Sequence, residues 1–97
     1  MQSLTYGTVP ADLAIDTPYQ MRLMGEDFDL VADVVNEGID SHLEAVRTEQ
    51  DGRTIKIMDT ASLRCFIRRL AERCDAGNDE AGNLASSILE TLDYEWI

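Results

Sequence analysis

Apolar positions recur along this chain with two different periods, and each period predicts a different kind of element. Phe28, Val31, Val35 and Ile39 stand three and four residues apart, with Val34 widening the stripe. That spacing predicts a first helix over about residues 26–41 with one buried face. Gly38 costs a helix interior about 1 kcal/mol, so the helix ends there or runs on to Ser41. Leu63, Phe66, Ile67, Leu70 and Cys74 repeat the pattern and predict a second helix over about 60–76, capped by Asp59 or Thr60 and closed by Gly77. Ala81, Leu84, Ala85, Ile88, Leu89 and Leu92 predict a third over about 79–92, capped by Asn78 or Asp79.

Elsewhere the period falls to two. Residues 19–24 alternate apolar with polar and predict a strand ended by Gly25; residues 2–6 alternate more weakly and predict a strand ended by Gly7. Between them, Pro10 and Pro18 punctuate a loop. Residues 43–58 predict a hairpin, because Asp51-Gly52 is a strong turn signal between two alternating runs. The rival assignment continues the first helix to Val46, since Leu43 and Val46 also fit its apolar face. The expected fold class is α+β: one domain over 1–97, with a small antiparallel sheet and three helices, two of them an antiparallel pair.

Composition supports a core without staples. The 97 residues are 44% hydrophobic and only 6% aromatic, so Leu, Ile, Val, Met and Ala must fill the interior. Trp96 is the sole tryptophan and is expected to pack into that core. Cys65 and Cys74 lie nine positions apart on one predicted helix, about 13 Å along its axis. That exceeds the roughly 7 Å reach of a disulfide, so two free, buried or half-buried thiols are expected. No leader-like or membrane-length apolar run occurs, and a cytoplasmic protein is expected.

Catalytic constellations are missing from the sequence. His42 is the only histidine, Gly25, Gly38 and Gly52 stand alone, and no calcium-loop run of acids is present. Asp51 is explained by its turn and not by a pairing with Lys56 in nuclease chemistry. The expectation is a non-enzymatic protein with no cofactor and no metal.

Charge changes the picture most. Nineteen acidic residues against eight basic ones give a net charge of −11. Such a surface repels nucleic acid and anionic membranes and attracts basic proteins. Acidity is also a route to solubility, or to life in high salt, where a single lysine, Lys56, would fit. The charge is segregated. Residues 1–46 carry nine acids and one base, 47–73 carry four acids and seven bases, and 74–97 carry six acids and no base.

On the first helix, at about 100° per residue, Glu26, Asp29, Asp33, Glu37 and Asp40 fall within an arc of roughly 80°. Glu44 extends the row if the helix continues. Like charges at this spacing cost about 0.2–0.5 kcal/mol per pair, and no Lys or Arg interleaves them. The helix dipole favours Glu26, Asp27 and Asp29 but not the later acids. A carboxylate every 6 Å or so approximates the phosphate spacing of one nucleic-acid strand. The competing reading is a solvated face, or one neutralised by Arg64, Arg68, Arg69 and Arg73 of the second helix. Tyr94 and Trp96, alternating with acids, form a second candidate contact surface.

In size, acidity, an Asp/Glu-only helix face and a mixed α/β plan, the chain resembles small acidic inhibitor proteins of bacterial viruses. These are the anti-restriction and anti-CRISPR proteins, several of which act as DNA mimics. The resemblance lies in overall character and in no aligned segment. It implies a partner that is a basic protein or nucleoprotein complex, inhibited by occupation of its basic channel, with no direct contact to nucleic acid or membrane. The alternative is an assembly module, antitoxin-like or homodimeric, that uses apolar helix faces.

Overall fold

The computed structural model describes residues 2–37, 46–48 and 53–97. In chain order the elements are β1 (Gln2–Leu4), β2 (Tyr19–Arg22), α1 (Gly25–Glu37), β3 (Val46–Thr48), β4 (Thr54–Ile57), α2 (Thr60–Asp75), α3 (Asp79–Thr91) and β5 (Tyr94–Trp96). The fold is mixed α+β. The chain divides into two compact units, one of residues 13–66 and one of residues 1–12 with 67–97.

Within residues 13–66 the sheet order is β2-β4-β3, antiparallel throughout. Ile55 and Ile57 on central β4 are fully buried, while Thr54 and Lys56 between them are half-buried, as a period of two requires. Val46 pairs with Ile57 and Thr48 with Ile55, so Val46 belongs to a hairpin strand and not to a continued first helix. The Asp51-Gly52 turn and His42 lie outside the described residues.

Helix α1 begins at Gly25, where the sequence placed a strand end; β2 has already stopped at Arg22. The Met24 carbonyl accepts the Phe28 N–H at 3.0 Å, closing the first turn. The buried face is also rotated from expectation. Leu30, Val31 and Val34 are buried, whereas Phe28 and Val35 are only half-buried and Ile39 lies outside the described residues. Leu30 and Val34, one turn apart, centre the stripe.

The ends of α2 follow from their sequence. The Asp59 carboxylate accepts the Ser62 N–H at 2.8 Å, which makes Asp59 the N-cap. At the other end Gly77, at φ 110°, donates to the Cys74 carbonyl, and Asn78 donates to the Arg73 carbonyl, both at 3.0 Å. This is the Schellman pattern, which needs a left-handed residue where only glycine is unstrained. Asn78 then serves α3 as N-cap, its side chain accepting the Ala81 N–H at 3.3 Å. Leu63, Phe66, Ile67 and Leu70 are wholly buried along α2, and Ala85, Ile88 and Leu89 along α3. Cys74 and Leu92 are half-buried.

The second sheet departs from the expected single antiparallel one. β1 and β5 form a parallel pair, Gln2 opposite Tyr94 and Leu4 opposite Trp96. Its ladder is extended by Gln2 N–H to the Asp93 carbonyl at 3.0 Å, Ile97 N–H to Leu4 at 2.9 Å, and Tyr6 N–H to Ile97 at 3.2 Å. A chain leaving α3 must turn sharply to enter β5, and Asp93 makes that turn at φ 67°.

Candidate interaction surfaces

The dipole at the start of α1 favours anions, and Glu26 and Asp27 occupy its first turn. Glu26, Asp29 and Asp33 are exposed, as is Asn36, while Asp27 is half-buried. By helical rise Glu26 and Asp29 are about 4.5 Å apart along the axis, and Asp29 and Asp33 about 6 Å. Among the described residues, no ion pair or hydrogen bond involves the carboxylate of Glu26, Asp29 or Asp33. Glu37 closes α1, and Asp40 and Glu44 lie outside the described residues. Of the arginines expected to neutralise the row, Arg69 pairs at 3.6 Å with Glu72 of its own helix. That pair is solvent-exposed and contributes little to stability.

At the start of α1, Arg22, Leu23, Met24, Gly25 and Arg53 line an open cleft of about 470 Å³. The two arginines are 31 positions apart in sequence, but β2 pairs with β4 so that Arg22 faces Thr54, beside Arg53. Only the strand register could have shown this, and the sequence pattern does not fix register.

Within the other unit, the expected contact residues Tyr94 and Trp96 lie on β5 and are both half-buried. Trp96 does not enter the core. Its indole N–H donates to the Thr8 carbonyl at 2.9 Å, and its ring meets that of Tyr6 at a centroid distance of 4.9 Å and an interplanar angle of 60°. The Tyr94 hydroxyl donates to Asp12 at 3.1 Å. Desolvation, then this bond to a carboxylate, raises its pKa.

Tyr6 was not singled out in the sequence, where it ends a weak strand. Its hydroxyl donates to the Cys74 thiol. That bond, burial, and the charges of Asp75 and Asp79 push its pKa up to about 12. Cys65 and Cys74 are both free and half-buried, as their spacing requires. Gly82 of α3 is buried beside this group: a Cβ there would lie 2.5 Å from Cys74 Sγ and 3.0 Å from the Tyr6 hydroxyl oxygen. Only a residue without a side chain lets α3 come this close.

Among the described residues, no three His, Cys, Asp or Glu side chains converge as a metal-holding group, and no helix is long and apolar enough to cross a membrane. Comparison with protein-family models, with curated proteins and with solved structures finds no match.

Proposed function

We propose that this is a non-enzymatic binding protein that presents the acidic face of α1 to the basic surface of a nucleic-acid-binding protein or complex and inhibits it. One observation carries the reading: Glu26, Asp29 and Asp33 are exposed on one side of a helix and share no ion pair with a described residue. Carboxylates in that state have kept their hydration. A cationic groove can therefore gain attraction from all three without first breaking a salt bridge to a described residue. The alternative of an assembly module acting through apolar helix faces is less well supported. Leu63, Phe66, Ile67, Leu70, Ile88 and Leu89 are already 0% exposed within the chain, which leaves those stripes nothing to offer a partner.

The test is affinity capture from bacterial lysate at low and at high salt, with the triple variant Glu26→Gln/Asp29→Asn/Asp33→Asn alongside the unaltered protein. The captured protein is then assayed for nucleic-acid binding with and without the chain added. The expected result is capture that weakens steeply with salt, competition with nucleic acid, and loss of both in the variant. Undiminished capture by a folded variant refutes the assignment.

A further inference from the structure

We infer that the Tyr6–Trp96 face is a second docking surface, one that seats an arginine-bearing segment of a partner protein. It uses other residues than the α1 face and does not rest on that reading.

The argument starts with how the rings are held. Tyr6 is fixed at three points: its N–H on the Ile97 carbonyl, its hydroxyl on Cys74, and its ring against Trp96. Trp96 is fixed by its strand register opposite Leu4 and by its indole bond to Thr8. Rings immobilised in this way normally sit in a core, yet Tyr6 remains 43% exposed and Trp96 half-buried. Because they are already ordered, binding loses little further side-chain freedom, and that preorganisation favours affinity. Tyrosine and tryptophan are also the side chains that most often anchor interfaces.

Charge then selects the occupant. The segment 74–97 has six acids and no base. Asp75 and Asp79 act directly on the Tyr6 phenol, and Asp12 receives the hydroxyl of Tyr94, which shares a strand face with Trp96. An anionic or purely apolar partner would meet unfavourable carboxylates around an otherwise suitable aromatic surface. A guanidinium satisfies both features, since its flat face stacks on aromatic rings while its edge donates to carboxylates. Two rings inclined at 60° give it two walls.

Trp96 is the only tryptophan, so its fluorescence reports on this face without added label. The intact protein is titrated with a short Gly–Arg repeat peptide, with the same peptide carrying neutral citrulline, and with a Gly–Lys peptide. The expected result is a saturable change in Trp96 emission with arginine, a weaker one with lysine, and none with citrulline. Asp75→Asn with Asp79→Asn, at exposed positions, should weaken arginine binding about two- to fivefold, and Tyr6→Leu should do so by a similar factor. Asp29→Asn with Asp33→Asn on α1 should leave the titration unchanged, even where it abolishes capture of a basic protein. The proposal is overturned by an equal response to citrulline, by lysine binding more tightly than arginine, or by no saturable change up to about 10 mM peptide, beyond which affinity is negligible. Sensitivity to the α1 variant in place of Asp75 and Asp79 also overturns it. The three peptides act on the unaltered chain, so the result stands even if Tyr6→Leu fails to fold.

Discussion

Replacing Gly82 by alanine sets two effects of known size against each other. In a helix interior the change favours folding by about 1 kcal/mol, because glycine loses more backbone freedom than alanine. Opposing it, the new Cβ would stand 2.5 Å from Cys74 Sγ, 3.0 Å from the Tyr6 hydroxyl oxygen and 3.3 Å from Cys74 Cβ. Comfortable contacts are about 3.5–4.0 Å, so the thiol must retreat by about 1 Å. Sγ is one bond from its backbone-anchored Cβ, so it retreats by rotating about the Cα–Cβ bond, which gives up the Tyr6 bond. Overpacking of this kind costs about 1–3 kcal/mol, and a lost hydrogen bond about 0.5–1.5 kcal/mol.

The cost therefore wins, and Gly82→Ala should destabilise the protein by about 1–2 kcal/mol, a fall in Tm of roughly 4–8 °C per kcal/mol for a domain of this size. Urea unfolding checks it through a lower midpoint at unchanged slope. A cycle with Cys74→Ala then isolates the cause. With Sγ gone, the Tyr6 hydroxyl at 3.0 Å has lost its anchor and the Cβ at position 74, at 3.3 Å, need give only a few tenths of an ångström, so the Gly82→Ala penalty should shrink by about 1 kcal/mol or vanish. A gain in stability from Gly82→Ala alone would refute the reasoning, as would a penalty indifferent to Cys74.

Asp93 is an acid at the carboxyl end of α3 in the left-handed region, φ 67°. Asp93→Gly relieves both the backbone strain and the unfavourable dipole and should raise stability by about 0.5–1 kcal/mol, measured by thermal unfolding. Asn78→Ala removes the cap on the Ala81 N–H and should cost about 1 kcal/mol in the same assay. Tyr6 has its folded pKa raised from 10.0 to about 12, so the folded state holds the phenolic proton more tightly. Its contribution is present in full below pH 10 and is lost as pH rises towards 12, so alkaline stability should fall across that window. Absorbance titration of tyrosinate should lose its latest-ionising step in Tyr6→Phe, while the upward shift of Tyr94 remains.

What the sequence revealed and what it hid divide along the range of the interactions involved. Local signals were sufficient for α2 and α3, where periodic Leu, Ile and Ala, an Asp or Asn cap and Gly77 all fall within a few residues of the element they shape. On the first helix the expected Val31 and Val34 are buried, but the stripe turns towards Leu30 and leaves Phe28 and Val35 half-buried. Both sets fit a three-to-four spacing, and only tertiary packing chooses between them. The pairing of β5 with β1 joins opposite ends of the chain, and three alternating residues, Tyr94-Glu95-Trp96, are too few to declare a strand. With that pairing unseen, Tyr6 could not be placed beside Trp96, and Trp96 was assigned to the core. The acidic row of Glu26, Asp29 and Asp33 was legible because helical geometry alone puts those positions on one side.

The two surfaces should answer differently to salt, and the difference follows from their spacing. Neighbouring carboxylates on α1 stand about 4.5–6 Å apart along the axis, closer than the screening length of about 8 Å at physiological ionic strength. An approaching cationic surface therefore meets their summed field, and attraction falls quickly once salt shortens the screening length to about 3 Å near 1 M. A guanidinium stacked on Tyr6 and Trp96 owes part of its binding to short-range contact with the rings, which screening barely reaches. Partner binding that survives high salt should thus depend on Tyr6 and Trp96, and the part lost with salt should depend on Glu26, Asp29 and Asp33. If both parts disappear together as salt rises, and neither set of substitutions separates them, the aromatic face adds nothing that the charges do not already supply.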